Sequence, residues 1–333
     1  MSKELIIDVR KDKIEIALLD TKSLVELKHE SLTQNFAVGN VYLGRVKKIM
    51  SGLNAAFIDV GCEKEAFIHY HDLGPQFATL NGYVQQILND RKHTPKLRRM
   101  PDLGKDGNIS SVLTVGQMIL VQVVKEPIST KGPRLAAEIS IAGRNMVLLP
   151  LGDNKTSVSQ KIKSAEERTR LRQLVHSIKP ANCGVIVRTV AEGRRVAELD
   201  TEILMMHKRW ELLLEHLKKA KGISLLLEES SRSVSIIRDL FSPDFAHIHV
   251  NNKSAYEELH AYVKMIAPER KDIVTLYDSE KPIFDHFGIT KQIKSLFGRT
   301  VSFKRGAYLI MDQTEAMFVI DVNSGTRTKA SQG

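Results

Sequence analysis

Two polar residues of the stretch FVIDVNSG have the spacing to hold a hard metal ion together. Asp321 follows the apolar run 318–320, and Asn323 lies two positions later on the same strand face. Mg²⁺ prefers such oxygen ligands, taking one or two carboxylates and keeping several waters. The strand that delivers the carboxylate is expected to be buried. The pattern equally fits an aspartate that caps the turn at Ser324 and Gly325, and these residues alone leave both interpretations open.

Two phenylalanines fall on strand faces that simple alternation leaves toward water. Phe57 in NAAFIDVG and Phe67 in EAFIHY both alternate with small or aliphatic residues that face a core. OB-type barrels use such aromatics as platforms for unpaired bases, which favours RNA or single-stranded DNA as the ligand. The alternative is that both rings pack under a following insertion or against another domain. The cations expected near the two rings are Arg45, Lys47, Lys48 and Lys131.

A third candidate lies in the stretch VRTVAEGRR. Arg188 and Thr189 end a strand and enter a polar turn. A guanidinium beside a hydroxyl can hold a phosphate, because the guanidinium donates two parallel hydrogen bonds. A surface arginine at a strand end is the other interpretation of the same residues.

The amino-acid composition indicates which chemical class of ligand the protein binds. The net charge is +10 and the isoelectric point is near 9.4, which indicates a polyanionic ligand such as nucleic acid. No apolar run approaches the ~20 residues that a membrane-spanning helix needs. The charged segment 1–20 lacks the apolar core of a signal peptide, so we expect a cytoplasmic protein. Cys62 and Cys183 are far apart in sequence and predict neither a metal site nor a disulfide.

Short-range patterns in the sequence predict the strands and helices that carry these residues. Dense strand signals from Asn40 onward predict a small β-barrel, interrupted by a long, mobile, basic insertion over 74–112. Ser164 opens a capping box that begins a helix, and Pro180 ends that helix. A long helix is expected from about Asp200 to Lys221.

Beyond Gly222 the segments alternate between strand and helix, which is typical of an α/β layer. The two strands predicted over 4–9 and 13–19 cannot form a domain alone. We therefore expect them to join this later sheet, which makes the barrel an insertion.

Together these stretches resemble one family, the bacterial ribonuclease E/G endoribonucleases, with greater similarity to its ribonuclease G branch. The likeness covers the whole chain in one order. The stretches that carry it are NVYLGRVKKIMSGLNAAFIDVG, AFIH, VQVVKEPISTKGPRL, VSQKI, GVIVRTVAEG, YDSEKPIFDHF and GAYLIMDQTEAMFVIDVNSG.

The resemblance implies an α+β multidomain protein. An RNase H-like α/β subdomain over 1–36 and 223–280 is interrupted by an S1-type OB β-barrel over 37–138 and a 5′-sensor domain over 139–222. A partial DNase I-like catalytic subdomain over 281–333 follows.

The resemblance also gives each candidate residue a role. Phe57 and Phe67 match the base-stacking residues, and Lys131 matches a nearby contact to the RNA backbone. The residues matching the pocket for the 5′-monophosphate of RNA are Arg188, Thr189 and, through its main chain, Val147. The residues matching the catalytic centre are Asp321, the first of two aspartates that hold Mg²⁺, and Asn323, which orients the second.

The implied activity is Mg²⁺-dependent endonucleolytic cleavage of single-stranded RNA, giving 5′-phosphate and 3′-hydroxyl ends. Implied substrates are 5′-monophosphorylated RNAs in ribosomal RNA processing and messenger decay. The family's homo-oligomers are joined through Zn²⁺, expected only in the full-length protein.

The family pattern places its second aspartate beyond the last residue of this sequence. We therefore interpret these 333 residues as an N-terminal fragment or a truncated gene product that binds RNA but cleaves it poorly. The alternative function is a non-catalytic RNA-binding protein of ribosome assembly or translation, and a DNA-acting nuclease is a third.

Overall fold

The protein is described by a computed structural model that comprises two compact units. The residues that the structure describes are 3–31, 36–229, 232–241, 245–303 and 306–325. One unit, named here the terminal unit, combines 1–33 with 232–333, and the other, the central unit, spans 34–231.

Strands make up most of the regular structure. In chain order they are β1 (Lys3–Val9), β2 (Lys13–Asp20), β3 (Ser23–Ser31), β4 (Val41–Met50), β5 (Ala55–Asp59), β6 (Ala66–His69), β7 (Met118–Lys125), β8 (Arg134–Ala136), β9 (Ile141–Ala142), β10 (Met146–Pro150), β11 (Thr156–Val158), β12 (Cys183–Val187), β13 (Ser224–Leu227), β14 (Phe245–Val250), β15 (Val274–Leu276), β16 (Thr300–Ser302), β17 (Tyr308–Gln313) and β18 (Phe318–Asn323).

Helices connect these strands. They are α1 (Phe77–Asn89), α2 (Ala165–Ile178), α3 (Val196–Lys219), α4 (Arg232–Leu240), α5 (Lys253–Ile266), α6 (Ile283–His286) and α7 (Ile289–Leu296). No helix within the described ranges is long and apolar enough to cross a membrane.

The central unit contains a closed, OB-like barrel. Among its described residues the barrel has five strands in the order β4, β5, β6, β8 and β7, and pairing of β7 with β4 closes it. Alternation puts Ile58 and Ile68 inside, where they pack with aliphatic residues of the other strands. The strand β13, which the α/β rhythm assigns to the later sheet, instead pairs antiparallel with β4. It therefore extends the barrel sheet.

The expectation of a mobile insertion over 74–112 is wrong for its first part. Helix α1 occupies Phe77–Asn89. Its buried residues Leu80, Val84 and Ile87 recur at helical spacing and join the core of the central unit. Gly82 and the polar residues between them hide this pattern in the sequence. Segment 91–108 has no helix or strand.

The second sheet of the central unit has the order β11, β12, β10 and β9 among its described residues, with α2 and α3 in the same unit. The predicted cap of α2 is confirmed, because the Ser164 hydroxyl accepts a hydrogen bond from the Glu167 amide at 3.1 Å. Helix α3 begins at Val196, earlier than expected, and buries the only tryptophan of the chain, Trp210.

The terminal unit is an α/β layer. Its main sheet has the order β15, β14, β1, β2 and β3 among the described strands. The parallel pairing of β1 with β14 confirms that the N-terminal strands join the later sheet. Strand β3 was not expected, since only two strands were predicted there. Leu5, Ile16 and Ile248 form part of a core that α4 and α5 also build.

The last three strands form a separate antiparallel sheet in the order β16, β17 and β18. The expectation that β18 is buried is wrong, because Phe318 is 74% exposed and Val322 73% exposed. Among the described residues β18 is an edge strand that no element covers. The sequence Lys304-Arg305-Gly306 predicts a hairpin turn, and this segment lies partly outside the described residues.

Candidate functional site

The outer face of the barrel carries the aromatic pair. Phe57 of β5 lies directly opposite Phe67 of β6, and the ring centroids are 6.1 Å apart at an interplanar angle of 65°. Both side chains are partly exposed, whereas their neighbours Ala56 and Ile68 are buried. The register of the two strands therefore makes one aromatic surface from residues ten positions apart in sequence.

Cations extend this surface along one cross-strand row. Lys48 of β4 pairs with Phe57, and Arg134 of β8 pairs with Phe67, so the row reads Lys48, Phe57, Phe67, Arg134. Arg134 makes two hydrogen bonds of 3.0 Å to Asp72, which raise the pKa of the guanidinium. No local pattern singles out Arg134, since its register with Phe67 exists only in the folded barrel.

The other candidate cations differ in how they are engaged. Lys47 forms an ion pair of 2.9 Å with Glu65. Arg45 is exposed and is in register with Asp59 of β5. Lys131 is exposed in a tight turn, where its amide donates to the Ile128 carbonyl at 2.9 Å. The barrel face thus offers exposed cations on both sides of the aromatic pair.

The residues assigned to a phosphate pocket lie at one end of the β10–β12 pair. Val147 of β10 is opposite Ile186, and Arg188 follows directly after β12. The Arg188 amide donates to the Asn145 carbonyl at 2.8 Å, which fixes the strand end. Arg188 is partly exposed and Thr189 is exposed, so both side chains are accessible to a ligand.

Ser159 also belongs to this end of the sheet. Its hydroxyl lies 3.1 Å from the Thr189 hydroxyl and accepts a hydrogen bond from the Lys161 amide at 3.3 Å. When Ser159 donates to Thr189, the Thr189 proton is left to donate to a ligand. Ser159 stands in the stretch VSQKI, which carries part of the family resemblance, but nothing local assigns it this place.

A carboxylate fixes the loop that follows Thr189. Glu167 accepts two hydrogen bonds of 2.6 Å from Arg170 and one of 2.9 Å from the Gly193 amide. The Arg170 guanidinium, helped by the Gly193 amide, lowers the pKa of Glu167 to about 2. The first turn of α2 is thereby tied to the segment that carries Arg188 and Thr189.

The carboxylate strand lies in the terminal unit. Asp321 is exposed on β18, and Asn323 donates to it through its side-chain amide at 3.0 Å. Asp321 is opposite Ile310 of β17, so Asp312, two residues further along β17, shares its face. Asp312 is engaged by Arg299 at 3.2 Å.

The side chains at β18 have the oxygen ligands that a hard cation prefers. Asp321 supplies a carboxylate and Asn323 an amide oxygen, and Mg²⁺ commonly completes such a set with water. Within the described ranges no three His, Cys, Asp or Glu side chains converge as a metal site. The structure therefore brings Asp321 and Asn323 together, in a unit that contains none of the barrel or pocket residues.

The fold defines a mixed α/β protein with an OB-like barrel, and sequence similarity defines its family. A family model described as "Ribonuclease E/G family" matches residues 140–333. The chain belongs to the ribonuclease E/G family, which confirms the resemblance inferred from its motifs.

Curated relatives carry ribonuclease names. The chain is 33% identical to "Ribonuclease G" of Escherichia coli (strain K12) over 325 residues, 98% of this chain and 63% of that relative. It is 34% identical to "Ribonuclease G" of Haemophilus influenzae over 322 residues, 97% of this chain and 62% of the relative. It is 32% identical to "Ribonuclease E" of Nostoc sp. over 303 residues, 90% of this chain and 40% of the relative. The chain thus spans less than two thirds of the length of these relatives.

Proposed function

We propose that this protein acts on single-stranded RNA as a 5′-monophosphate-sensing endoribonuclease. The observation that carries the proposal is the partly exposed pair Phe57 and Phe67, in direct register on a closed barrel of a ribonuclease-family chain. Stacking on such rings tolerates any base but requires the bases to be unpaired. Single strands are therefore preferred over duplexes.

The central unit supplies binding through two kinds of contact. Bases stack on Phe57 and Phe67, and Lys48 and Lys131 neutralise backbone phosphates beside them. This division is supported by the cross-strand row, in which an exposed lysine is the immediate neighbour of an aromatic ring.

The end of the β10–β12 pair supplies the sensing of the RNA terminus. Arg188 donates a fork of hydrogen bonds to the terminal phosphate, Thr189 donates its hydroxyl, and the Val147 main chain lines the pocket. A 5′-hydroxyl end lacks the dianion that these donors recognise, and a 5′-triphosphate is bulkier. RNA with a monophosphate end is accordingly the preferred substrate.

The terminal unit supplies the chemistry. Asp321 would hold Mg²⁺ and accepts a hydrogen bond from Asn323, the residue that in the family pattern orients the second of the two Mg²⁺-binding aspartates. When bound, the ion supplies an activated water and neutralises charge on the scissile phosphate. The products are a 5′-phosphate and a 3′-hydroxyl end. We expect these 333 residues to bind RNA better than they cleave it, because Asp321 supplies one carboxylate while Arg299 engages Asp312.

The biological setting follows from the same family membership. We propose ribosomal RNA processing and messenger decay in the cytoplasm as the processes served. The proposed layout is the one expected from sequence, with an RNase H-like subdomain, an S1-type barrel, a 5′-sensor domain and DNase I-like residues over 281–333.

A binding and cleavage experiment tests the proposal. Fluorescence anisotropy compares a labelled single-stranded RNA with the same RNA in a duplex and with the matching DNA strand. Gel analysis then follows the RNA with Mg²⁺ or with EDTA. The expected results are preference for the single RNA strand and slow cleavage that needs Mg²⁺. Equal affinity for duplex and single strand would overturn the binding mode, and RNA binding without any cleavage would favour the non-catalytic alternative.

A further inference from the structure

A buried polar network is hydrogen-bonded to the main chain of the proposed phosphate pocket. Glu202, on helix α3, accepts hydrogen bonds from the Asn145 amide at 2.9 and 3.2 Å. It also accepts one from the Asn145 side chain at 2.7 Å. Arg144 is 5% exposed and Asn145 is 8% exposed. One carboxylate from the helix therefore holds the turn that leads into β10.

The same turn holds the residue proposed to bind phosphate. The carbonyl of Asn145 accepts the hydrogen bond from the Arg188 amide at 2.8 Å. The backbone of Gly143 passes so close to Glu202 that an added Cβ would lie 2.2 Å from its Oε1. Glu202 is thus linked to Arg188 through one intervening residue, Asn145. The close approach of Gly143 leaves the Glu202 side chain little room to shift.

Placing this carboxylate away from water has an energetic cost, which its hydrogen bonds offset in part. Burial disfavours its charged form and raises the pKa of Glu202, although the hydrogen bonds from Asn145 and the charge of Arg144 oppose the shift. A partly buried carboxylate adjacent to a candidate ligand site is a common sign of function.

We propose that Glu202 is a positioning residue for recognition of the RNA 5′-monophosphate, a role that rests on the proposed function of Arg188. Glu202 does not touch the phosphate, since two anions would repel each other. It fixes the turn of Arg144 and Asn145, and through the Asn145 carbonyl it fixes the main chain of Arg188. A guanidinium needs a defined orientation to donate two parallel hydrogen bonds to a phosphate, so a loose strand end weakens the interaction.

The test is the ratio of affinities for two forms of one RNA. Anisotropy gives the Kd of the full chain for a 5′-monophosphorylated single strand and for its 5′-hydroxyl counterpart. In Glu202→Gln, one carboxylate oxygen becomes an amide donor facing the donors of Asn145. We expect the 5′-hydroxyl to 5′-monophosphate Kd ratio to fall by about fivefold or more, with the 5′-hydroxyl Kd unchanged.

Two comparison variants separate the possible failures. Glu211→Gln removes an exposed charge from the same helix, where Glu211 pairs with His207, and should leave the ratio unchanged. Arg188→Ala should remove the preference for the monophosphate. If Arg188→Ala leaves the ratio intact, the sensor assignment itself fails. If Arg188→Ala abolishes the preference and Glu202→Gln keeps it, the positioning role alone is overturned.

Fluorescence of Trp210, which is buried on the same helix, checks that each variant is folded. If Glu202→Gln does not fold, Glu202→Asp replaces it, since the shorter side chain keeps the charge but withdraws from Asn145. An equal loss of affinity for both RNAs in a folded variant would show a merely structural role and would contradict the proposal.

Discussion

The proposed phosphate pocket and the carboxylate strand are built in opposite ways. In the pocket, the Arg188 main chain is fixed by Asn145 at 2.8 Å and the Thr189 hydroxyl lies 3.1 Å from that of Ser159. On the carboxylate strand, Asp321 is exposed and its one described hydrogen bond is the 3.0 Å contact from Asn323. In the pocket, the main chain of Arg188 and the Thr189 hydroxyl are fixed by surrounding structure, whereas the side chain of Asp321 is displayed on an open edge.

In the proposed function, RNA recognition and RNA cleavage are assigned to different units of the protein. The aromatic pair and the phosphate pocket both belong to the central unit, and Asp321 belongs to the terminal unit. Changes in the central unit should therefore alter affinity for RNA. Changes at Asp321 should alter cleavage and leave affinity intact. The experiments below test whether RNA affinity and RNA cleavage can be changed independently of each other.

The largest effect is expected at the carboxylate. Asp321→Asn should reduce Mg²⁺-dependent cleavage of single-stranded RNA by about a hundredfold or more, because the neutral amide binds the ion poorly. The Kd for RNA should not change. Gel assays with and without EDTA measure the rate. Asp312→Asn is the matched control, because Arg299 engages that carboxylate, and a greater loss there than at Asp321 would contradict the assignment.

Removing both rings of the aromatic pair should give the next largest effect. Phe57→Ala with Phe67→Ala is expected to weaken binding of single-stranded RNA by at least about tenfold, since each stacked base is worth ~1–3 kcal/mol. Anisotropy titration measures the Kd. Leu204→Ala is the control, because Leu204 is an apolar residue of the same unit that is 59% exposed. An aromatic double variant with wild-type affinity would rule out the barrel face as the RNA interface.

A pair of neighbouring lysines tests the electrostatic part of the interface. Lys48→Ala should weaken RNA binding about threefold and flatten the dependence of log K on log salt by ~0.7. Lys47→Ala should change both less, because Lys47 is already paired with Glu65 at 2.9 Å. Titrations at several salt concentrations measure the slopes. A larger change for Lys47→Ala would show that the cross-strand row does not mark the path of the RNA.

The smallest effect concerns the stability of the segment after Thr189. The pKa of Glu167 is lowered to about 2 from 4.5, so its ion pair stabilises the fold above pH 4.5. That contribution should disappear as pH falls from about 4.5 toward about 2. It should not exceed ~1 kcal/mol, because solvent screens the pair.

Urea unfolding followed by Trp210 fluorescence at several pH values measures this contribution. Glu167→Gln should lose the pH-dependent part, and Glu166→Gln, on the same helical turn, should keep it. Identical pH profiles for the two variants would show that Arg170 and Gly193 are not the partners that matter.

Local sequence patterns predicted what depends on near neighbours. Strand alternation put Phe57 and Phe67 on the outer face, and the capping box located the start of α2 at Ser164. Those features are set within a few residues of the chain. The exposure of Asp321 was missed, because an apolar run does not indicate whether another element will cover it.

The remaining errors have one physical origin, which is tertiary contact between distant segments. Pairing of β13 with β4 and the register of Arg134 with Phe67 join residues that no short window contains. The connection from Glu202 to Asn145 spans 57 residues. The buried face of α1 is a separate case, because its signal is local and is weakened by Gly82 and by the polar residues between the apolar ones.

The most direct test of the central claim observes the terminal phosphate itself. A ³¹P NMR titration of a short 5′-monophosphorylated RNA with the full chain follows the resonance of its end group. The proposed function predicts a shift of that resonance with the wild-type protein and none with Arg188→Ala, while both proteins still bind the strand. A terminal resonance that stays in place with the wild type, or moves equally with Arg188→Ala, would contradict it.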